Sequence, residues 1–247
     1  LMVGNLSPEE KAVVDKALIK TYKKKGFTIN GKNKISKDFP KLKDFYQTLK
    51  TMKQKDLASK LEKFVKGSLA TVFDKKTNIK LSNRLVIFDI KDLPESIRPI
   101  MMMIVANFVN SEVKSKPQKR ILVIDEGWLL LDNQDSAKFI SGLTRRARKY
   151  FLGVSIISQQ ANDFLNSNEG RAIASQSALR ILLKQDTTTI KKVSKEFNLS
   201  SYEEQFLLTC DRGEALIIAD QNHVSVKIVA SDKEHGLLTT DPREIYS

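Results

Sequence analysis

The sequence predicts an α/β fold: a mostly parallel central sheet with crossover helices, joined to an all-helical module at the start of the chain. Three observations predict it. Short apolar runs at 85–88, 121–124, 154–157 and 178–183 alternate with helical patterns, and that alternation implies parallel strands with right-handed crossovers. In residues 1–70 the apolar positions recur at helical spacing instead. Charge divides in the same place, because residues 1–70 hold 17 lysines and no arginine against seven carboxylates, or +10 of the formal net charge of +13. The reading is therefore a basic helical module over 1–70 and a sheet-bearing core over 71–247.

The elements follow in order. Ser7-Pro8-Glu9-Glu10 is a capping box with proline at the first helical position, where no N–H is needed. Val13, Val14, Ala17, Leu18 and Tyr22 continue the helix to a stop at Gly26. A polar loop covers 28–38, and two helices follow at about 41–52 and 56–66. Leu85-Val86-Ile87-Phe88 reads as the first buried strand. Pro94-Glu95-Ser96 opens a long helix whose regular part begins near Pro99. Strands at 121–124 and 154–157 flank a helix at 135–150. Short helices at 161–165 and 170–175 lead to a strand at 178–183. Helices near 188–197 and 202–209 precede a final pair of strands, 215–218 and 224–229, with a hairpin-type turn at Asp220-Gln221-Asn222.

Composition excludes several classes. With 247 residues, 41% hydrophobic and 29% charged, the chain is too apolar to be disordered and long enough to bury a core. A lone cysteine, Cys210, closes no intrachain disulfide and points to a reducing compartment. The longest strongly apolar run, 100–106, is far short of the roughly 18 residues of a membrane span. No secretory signal is visible, so a soluble intracellular domain is expected. The chain opens on Leu1 rather than methionine, and a fragment of a longer protein is expected. The lysines of 1–70 read most simply as a solvated helical face; a surface for a nucleic-acid backbone is the sharper reading.

Chemistry concentrates at the ends of two strands. R-I-L-V-I-D-E, from Arg120 to Glu126, is a central strand ending in two carboxylates, at the edge where parallel sheets bind ligands. This is the pattern of a Walker B motif, in which the first acid holds Mg²⁺ and the second polarises the attacking water. A strand-end helix cap would also use such acids. The next strand ends in Gln159-Gln160, where a neutral amide can hydrogen-bond both a γ-phosphate and a water. Arg145, Arg146 and Arg148 close the intervening helix, where they also suit its dipole. Arg212, in the turn Asp211-Arg212-Gly213-Glu214, could reach a neighbouring subunit's phosphates, or form a local pair with an acid. No G-x-x-x-x-G-K-[S/T] loop is present. Two histidines and one cysteine support neither a zinc site nor a nucleophilic triad.

The series R-I-L-V-I-D-E-G-W-L-L-L, R-R-A-R-K-Y, G-V-S-I-I-S-Q-Q-A-N-D-F, L-R-I-L-L-K-Q and R-G-E-A-L-I-I resembles the C-terminal ATPase domain of conjugative type IV secretion ATPases, the TraC/TrbE-like proteins. The opening L-M-V-G-N-L-S-P-E-E-K resembles the start of that family's helical insertion. The resemblance implies a RecA-like P-loop NTPase core, ATP with Mg²⁺, and a homo-hexamer working with other secretion-channel subunits at the inner face of the bacterial cell membrane. By position it gives Asp125 to Mg²⁺, Glu126 to water activation, Gln159 or Gln160 to γ-phosphate sensing, and Arg145, Arg148 and Arg212 to phosphate contact. The absent Walker A loop is expected upstream of Leu1. A DNA-pumping ATPase of the coupling-protein or FtsK type is the near alternative, kept open by the basic module. A degenerate fold used as an assembly platform is the distant one, disfavoured by the intact Asp125 and Glu126.

Overall fold

The computed structural model describes residues 2–28, 38–76, 83–116, 118–239, 241 and 243. Most of the expected polar loop at 28–38 lies outside them. The chain divides into two units, Leu1–Val105 and Ala106–Ser247.

The first unit is helical. Helix α1 (Pro8–Lys24) starts as its capping box predicts: the Glu10 amide donates to Ser7 Oγ at 3.2 Å and the Ser7 amide to Glu10 Oε2 at 2.9 Å. It ends where Gly26 takes φ +84°. Helices α2 (Leu42–Thr51) and α3 (Lys55–Val65) match the expected pair, and a short α4 (Ala70–Phe73) follows. Their apolar stripes close a core around Ala17, Tyr46, Leu49, Leu57, Leu61 and Phe64, with Phe73 edge-on to Phe64 at 5.2 Å. Residues 85–88, expected as a strand, form none. A strand requires a neighbour to take its N–H and C=O groups; among the described residues none does, and Leu85 and Ile87 stand three-quarters exposed. After a 3₁₀ turn at Glu95–Ile97 comes α5 (Arg98–Ser115), with Pro99 harmless in its first turn. Ile97 and Ile100 belong to the helical core.

The second unit holds the strands. β1 (Arg120–Ile124) is followed by a one-turn α6 (Trp128–Leu131), α7 (Gln134–Ala147), a 3₁₀ turn (Arg148–Tyr150) and β2 (Leu152–Ile156). β1 and β2 pair in parallel, Arg120 opposite Leu152 and Ile124 opposite Ile156, which is the predicted strand–helix–strand crossover. α7 buries Ala137, Ile140, Leu143 and Ala147. On one face of the pair, Ile121, Val123 and Ile157 remain exposed.

Helices α8 (Asn162–Leu165) and α9 (Asn168–Gln176) lead to β3 (Leu179–Leu182). Then come α10 (Ile190–Phe197), α11 (Ser201–Thr209), β4 (Glu214–Ala219), β5 (Asn222–Lys227) and α12 (Asp232–Leu238). β4 and β5 form the expected antiparallel hairpin, whereas β3 pairs antiparallel with β4 in a ladder separate from that of β1 and β2, so the parallel order expected over 84–184 does not extend to β3. The reason lies in the connection: one crossover helix returns the chain to the end where the preceding strand began, whereas the pair α10–α11 brings it back to the end that strand left. The hairpin turn is the expected one, tightened to Asp220-Gln221 with Asp220 at φ +53°. Leu165, Leu182, Ile190, Val193, Leu207, Leu216 and Ile218 form the core beneath this half.

Candidate active site

The ladder between β1 and β2 continues past the strands. The Ile157 amide donates to the Ile124 carbonyl at 2.9 Å, and the Gly127 amide donates to the Ile157 carbonyl at 2.8 Å. The two residues between these rungs are Asp125 and Glu126, and Glu126 turns the chain with φ +53°. Gly127 is needed for the close approach, since a Cβ there would lie 2.2 Å from Ile156 Cγ2. The strand end thus becomes a tight turn rather than the start of a capped helix.

This turn gathers three of the predicted residues. Asp125 is exposed at the C-terminal end of β1, and its Oδ1 accepts the Glu126 amide at 2.9 Å. The Glu126 carboxylate is held on both sides: Gln159 Nε2 donates to Oε1 at 3.1 Å and Trp128 Nε1 donates to Oε2 at 2.8 Å. Trp128 opens α6, whose Leu130 and Leu131 are buried and whose Leu130 carbonyl accepts Ser136 Oγ at 2.7 Å. Beyond β2, Ser158 donates to the Asp163 carboxylate and the Gln160 carbonyl accepts the Asp163 amide at 3.2 Å, which ties down the segment carrying Gln159. Gln160 itself is exposed.

The arginines stand elsewhere. Arg145 lies in the last turn of α7 and Arg148 in the 3₁₀ turn that feeds Leu152, the first residue of β2. That is the N-terminal end of the strand pair, about 15 Å of strand away from Asp125 at roughly 3.3 Å per residue. Arg212 is exposed in the turn before β4, and with Arg243, the stronger influence, its charge holds the Asp241 carboxyl below the usual range. None of the three makes a hydrogen bond or ion pair with Asp125 or Glu126.

The donor set suits a hard divalent cation. Among the described residues no three His, Cys, Asp or Glu side chains form a cage for an ion. One exposed carboxylate at a sheet end fits Mg²⁺, which takes one or two carboxylates and draws its other ligands from substrate phosphates and water. Trp128 and Gly127 were quoted in the sequence motif without a role. Their part in the site depends on the left-handed turn at Glu126, which the sequence does not announce.

Comparison with known proteins gives the following. Residues 21–235 match the family model of the TraG P-loop domain. The type IV secretion system protein virB4 of Bartonella quintana is 25% identical over 179 residues, covering 70% of this chain and 23% of that protein. Its Bartonella henselae counterpart is 25% identical over 155 residues, 61% of this chain and 20% of that one. The structure of VirB4 of Thermoanaerobacter pseudethanolicus aligns with a TM-score of 0.83 at 25% identity, covering 93% of this chain and 66% of that one. The chain thus spans less than a quarter of the length of the curated relatives it matches.

Proposed function

Given that this chain belongs to the TraG P-loop domain family and has the RecA-like P-loop NTPase fold, we propose that it forms the hydrolytic half of an ATP site in a type IV secretion motor. The observation that carries this reading is the Glu126 carboxylate, suspended between Trp128 and Gln159 beside the exposed Asp125. Such a carboxylate can take a proton from a water placed in line with a γ-phosphate.

In this reading Glu126 accepts one water proton as the water oxygen bonds to the γ-phosphorus. The bond from that phosphorus to the bridging oxygen breaks, releasing ADP, and the proton passes from Glu126 to the phosphate formed. Asp125 would hold the Mg²⁺ that accompanies the nucleotide. When bound, that ion would neutralise charge on the phosphate oxygens. Gln159 orients the water and senses the γ-phosphate, with Gln160 as its neighbour. The phosphate-cradling loop is not among these 247 residues, so the reaction belongs to the protein in which this chain is joined to one.

Arg145 and Arg148 sit at the far end of the strand pair, so their contact with phosphate requires a second copy. Such a contact, and one by Arg212, accords with a ring of six working with secretion-channel subunits at the inner face of the membrane, where hydrolysis would energise substrate translocation and pilus assembly. Among the described residues no helix is long and apolar enough to cross a membrane.

Glu126→Gln in the protein carrying the phosphate loop should lower ATP turnover by about a hundredfold or more; unchanged turnover overturns the assignment. The Lys-rich first unit favours DNA as an alternative cargo. Under that reading duplex binding weakens steeply with salt, with a log–log slope of roughly −0.9 per phosphate contact, and binding that ignores salt removes it.

A further inference from the structure

We propose that Trp128 is a positioning residue that keeps hold of Glu126 through one carboxylate oxygen, leaving the other to alternate between Gln159 and the attacking water. The inference rests on the hydrolytic reading above and gives a task to a residue that reading only places beside Glu126. Its basis is the chemical difference between the two groups that grip Glu126.

An indole N–H is one donor with no acceptor beside it. While it is committed to Oε2, at 2.8 Å, the ring has no second polar group with which to engage phosphate or water. The primary amide of Gln159 is different. Facing a carboxylate it must present its NH₂, as it does at 3.1 Å from Oε1, but the same group can donate to a phosphate while its carbonyl accepts from water. The supports differ in the same sense. Trp128 stands on α6, anchored by buried Leu130 and Leu131, and its ring has only two rotatable bonds. Trp128 and Gln159 are both exposed, but Gln159 lies in the irregular stretch between β2 and α8 and has one more rotatable bond.

Glutamate has three rotatable bonds, and its backbone here is in an uncommon conformation. Without Trp128 a departing Gln159 would leave the carboxylate free to swing as the water arrives. With Trp128 in place, Oε2 stays fixed and Oε1 is presented to whichever donor occupies the space: the Gln159 amide when phosphate is absent, water when Gln159 has turned to the phosphate. Gln159 thus shields the base between turnovers, and Trp128 sets its direction during them.

Two measurements test this. The first is spectroscopic and requires no turnover. In protein labelled with ¹⁵N-tryptophan, the Trp128 indole N–H resonance is identified by its loss in Trp128→Phe. It should sit at a hydrogen-bonded position, move upfield in Glu126→Ala and hold its position in Gln159→Ala. An indole signal indifferent to Glu126→Ala overturns the contact. The second is kinetic, in the protein with its phosphate loop. Trp128→Phe keeps the ring and removes the donor; it should lower kcat about tenfold while KM for ATP stays within about twofold. Trp128→His, which restores a ring N–H, should recover part of the loss. Normal kcat in Trp128→Phe beside a dead Glu126→Gln overturns the positioning role alone. Full activity in Glu126→Gln removes the hydrolytic reading and the positioning role with it, and the indole signal then decides only whether the contact exists.

Discussion

Glu126 carries the strain of the turn it occupies, and a pair of variants can measure that strain. At φ +53° a residue with a Cβ sits about 1–2 kcal/mol above ordinary backbone. Glycine escapes this cost but loses about 0.5–1 kcal/mol more on folding, through its greater freedom in the unfolded chain. Glu126→Ala and Glu126→Gly both delete the carboxylate and its bonds to Trp128 and Gln159, and differ only in the Cβ. The glycine variant should therefore be the more stable by about 0.5–1 kcal/mol. With a urea dependence of about 2–3 kcal/mol per molar, its midpoint should lie about 0.2–0.5 M higher. Trp128, the chain's single tryptophan, lies two residues away and supplies the fluorescence signal for both unfolding curves. An alanine variant as stable as the glycine variant, or more so, would refute the left-handed turn and with it the account of how Glu126 is aimed. Both variants should be inactive under the hydrolytic reading, since both lack the carboxylate.

Three further outcomes are expected. Gly170→Ala should destabilise by about 1–3 kcal/mol, because its Cβ would fall 2.3 Å from the Phe164 carbonyl oxygen, a backbone atom with little room to yield; an unchanged urea midpoint would contradict that packing. Cys210 is buried, and burial pushes its thiol above the usual range, so alkylation at pH 8 should be slow in the folded chain and become fast in urea; prompt labelling without denaturant would place Cys210 at the surface. Asp186 is held down to about 2, first by the Thr188 hydroxyl and then by Thr189. A depressed carboxylate contributes stability that is present above its unfolded pKa, near 4, and is lost as pH falls towards 2. Thr188→Ala should flatten the pH dependence of the urea midpoint in that window, and identical profiles would discount the contact.

The parts of the fold that were legible are those whose pattern is local. The capping box at Ser7, the strands of 121–124 and 154–157 and the helix between them are written in adjacent residues, and the structure forms them. Residues 85–88 carry an equally apolar pattern, but pairing is a property of two segments, and apolarity cannot report a missing neighbour. Both helices between β3 and β4 were legible, but the antiparallel pairing of those strands depends on how the helix pair folds back, which is a property of tertiary packing. The one-turn α6 is too short for periodicity to register. In the site, Asp125, Glu126 and Gln159 were legible because strand ends in a parallel unit meet at one edge. The grip of Trp128 on Glu126 was not, because it depends on a left-handed turn that a glutamate seldom makes.

The two backbone rungs that close the turn, from Ile157 to Ile124 and from Gly127 to Ile157, have a consequence in time. They make the Asp125–Glu126 turn part of the same cooperative element as the β1–β2 ladder, so it opens only when the end of that ladder unzips. The amides of Gly127 and Ile157 should then exchange with solvent together, at a rate set by sheet opening rather than by loop motion. A protein built this way keeps the Glu126 carboxylate in register through the sheet itself. The same coupling exposes it to damage from a distance: a substitution that loosens the ends of β1 and β2 would raise the fraction of time the turn is undone, and would slow turnover well before unfolding could be detected.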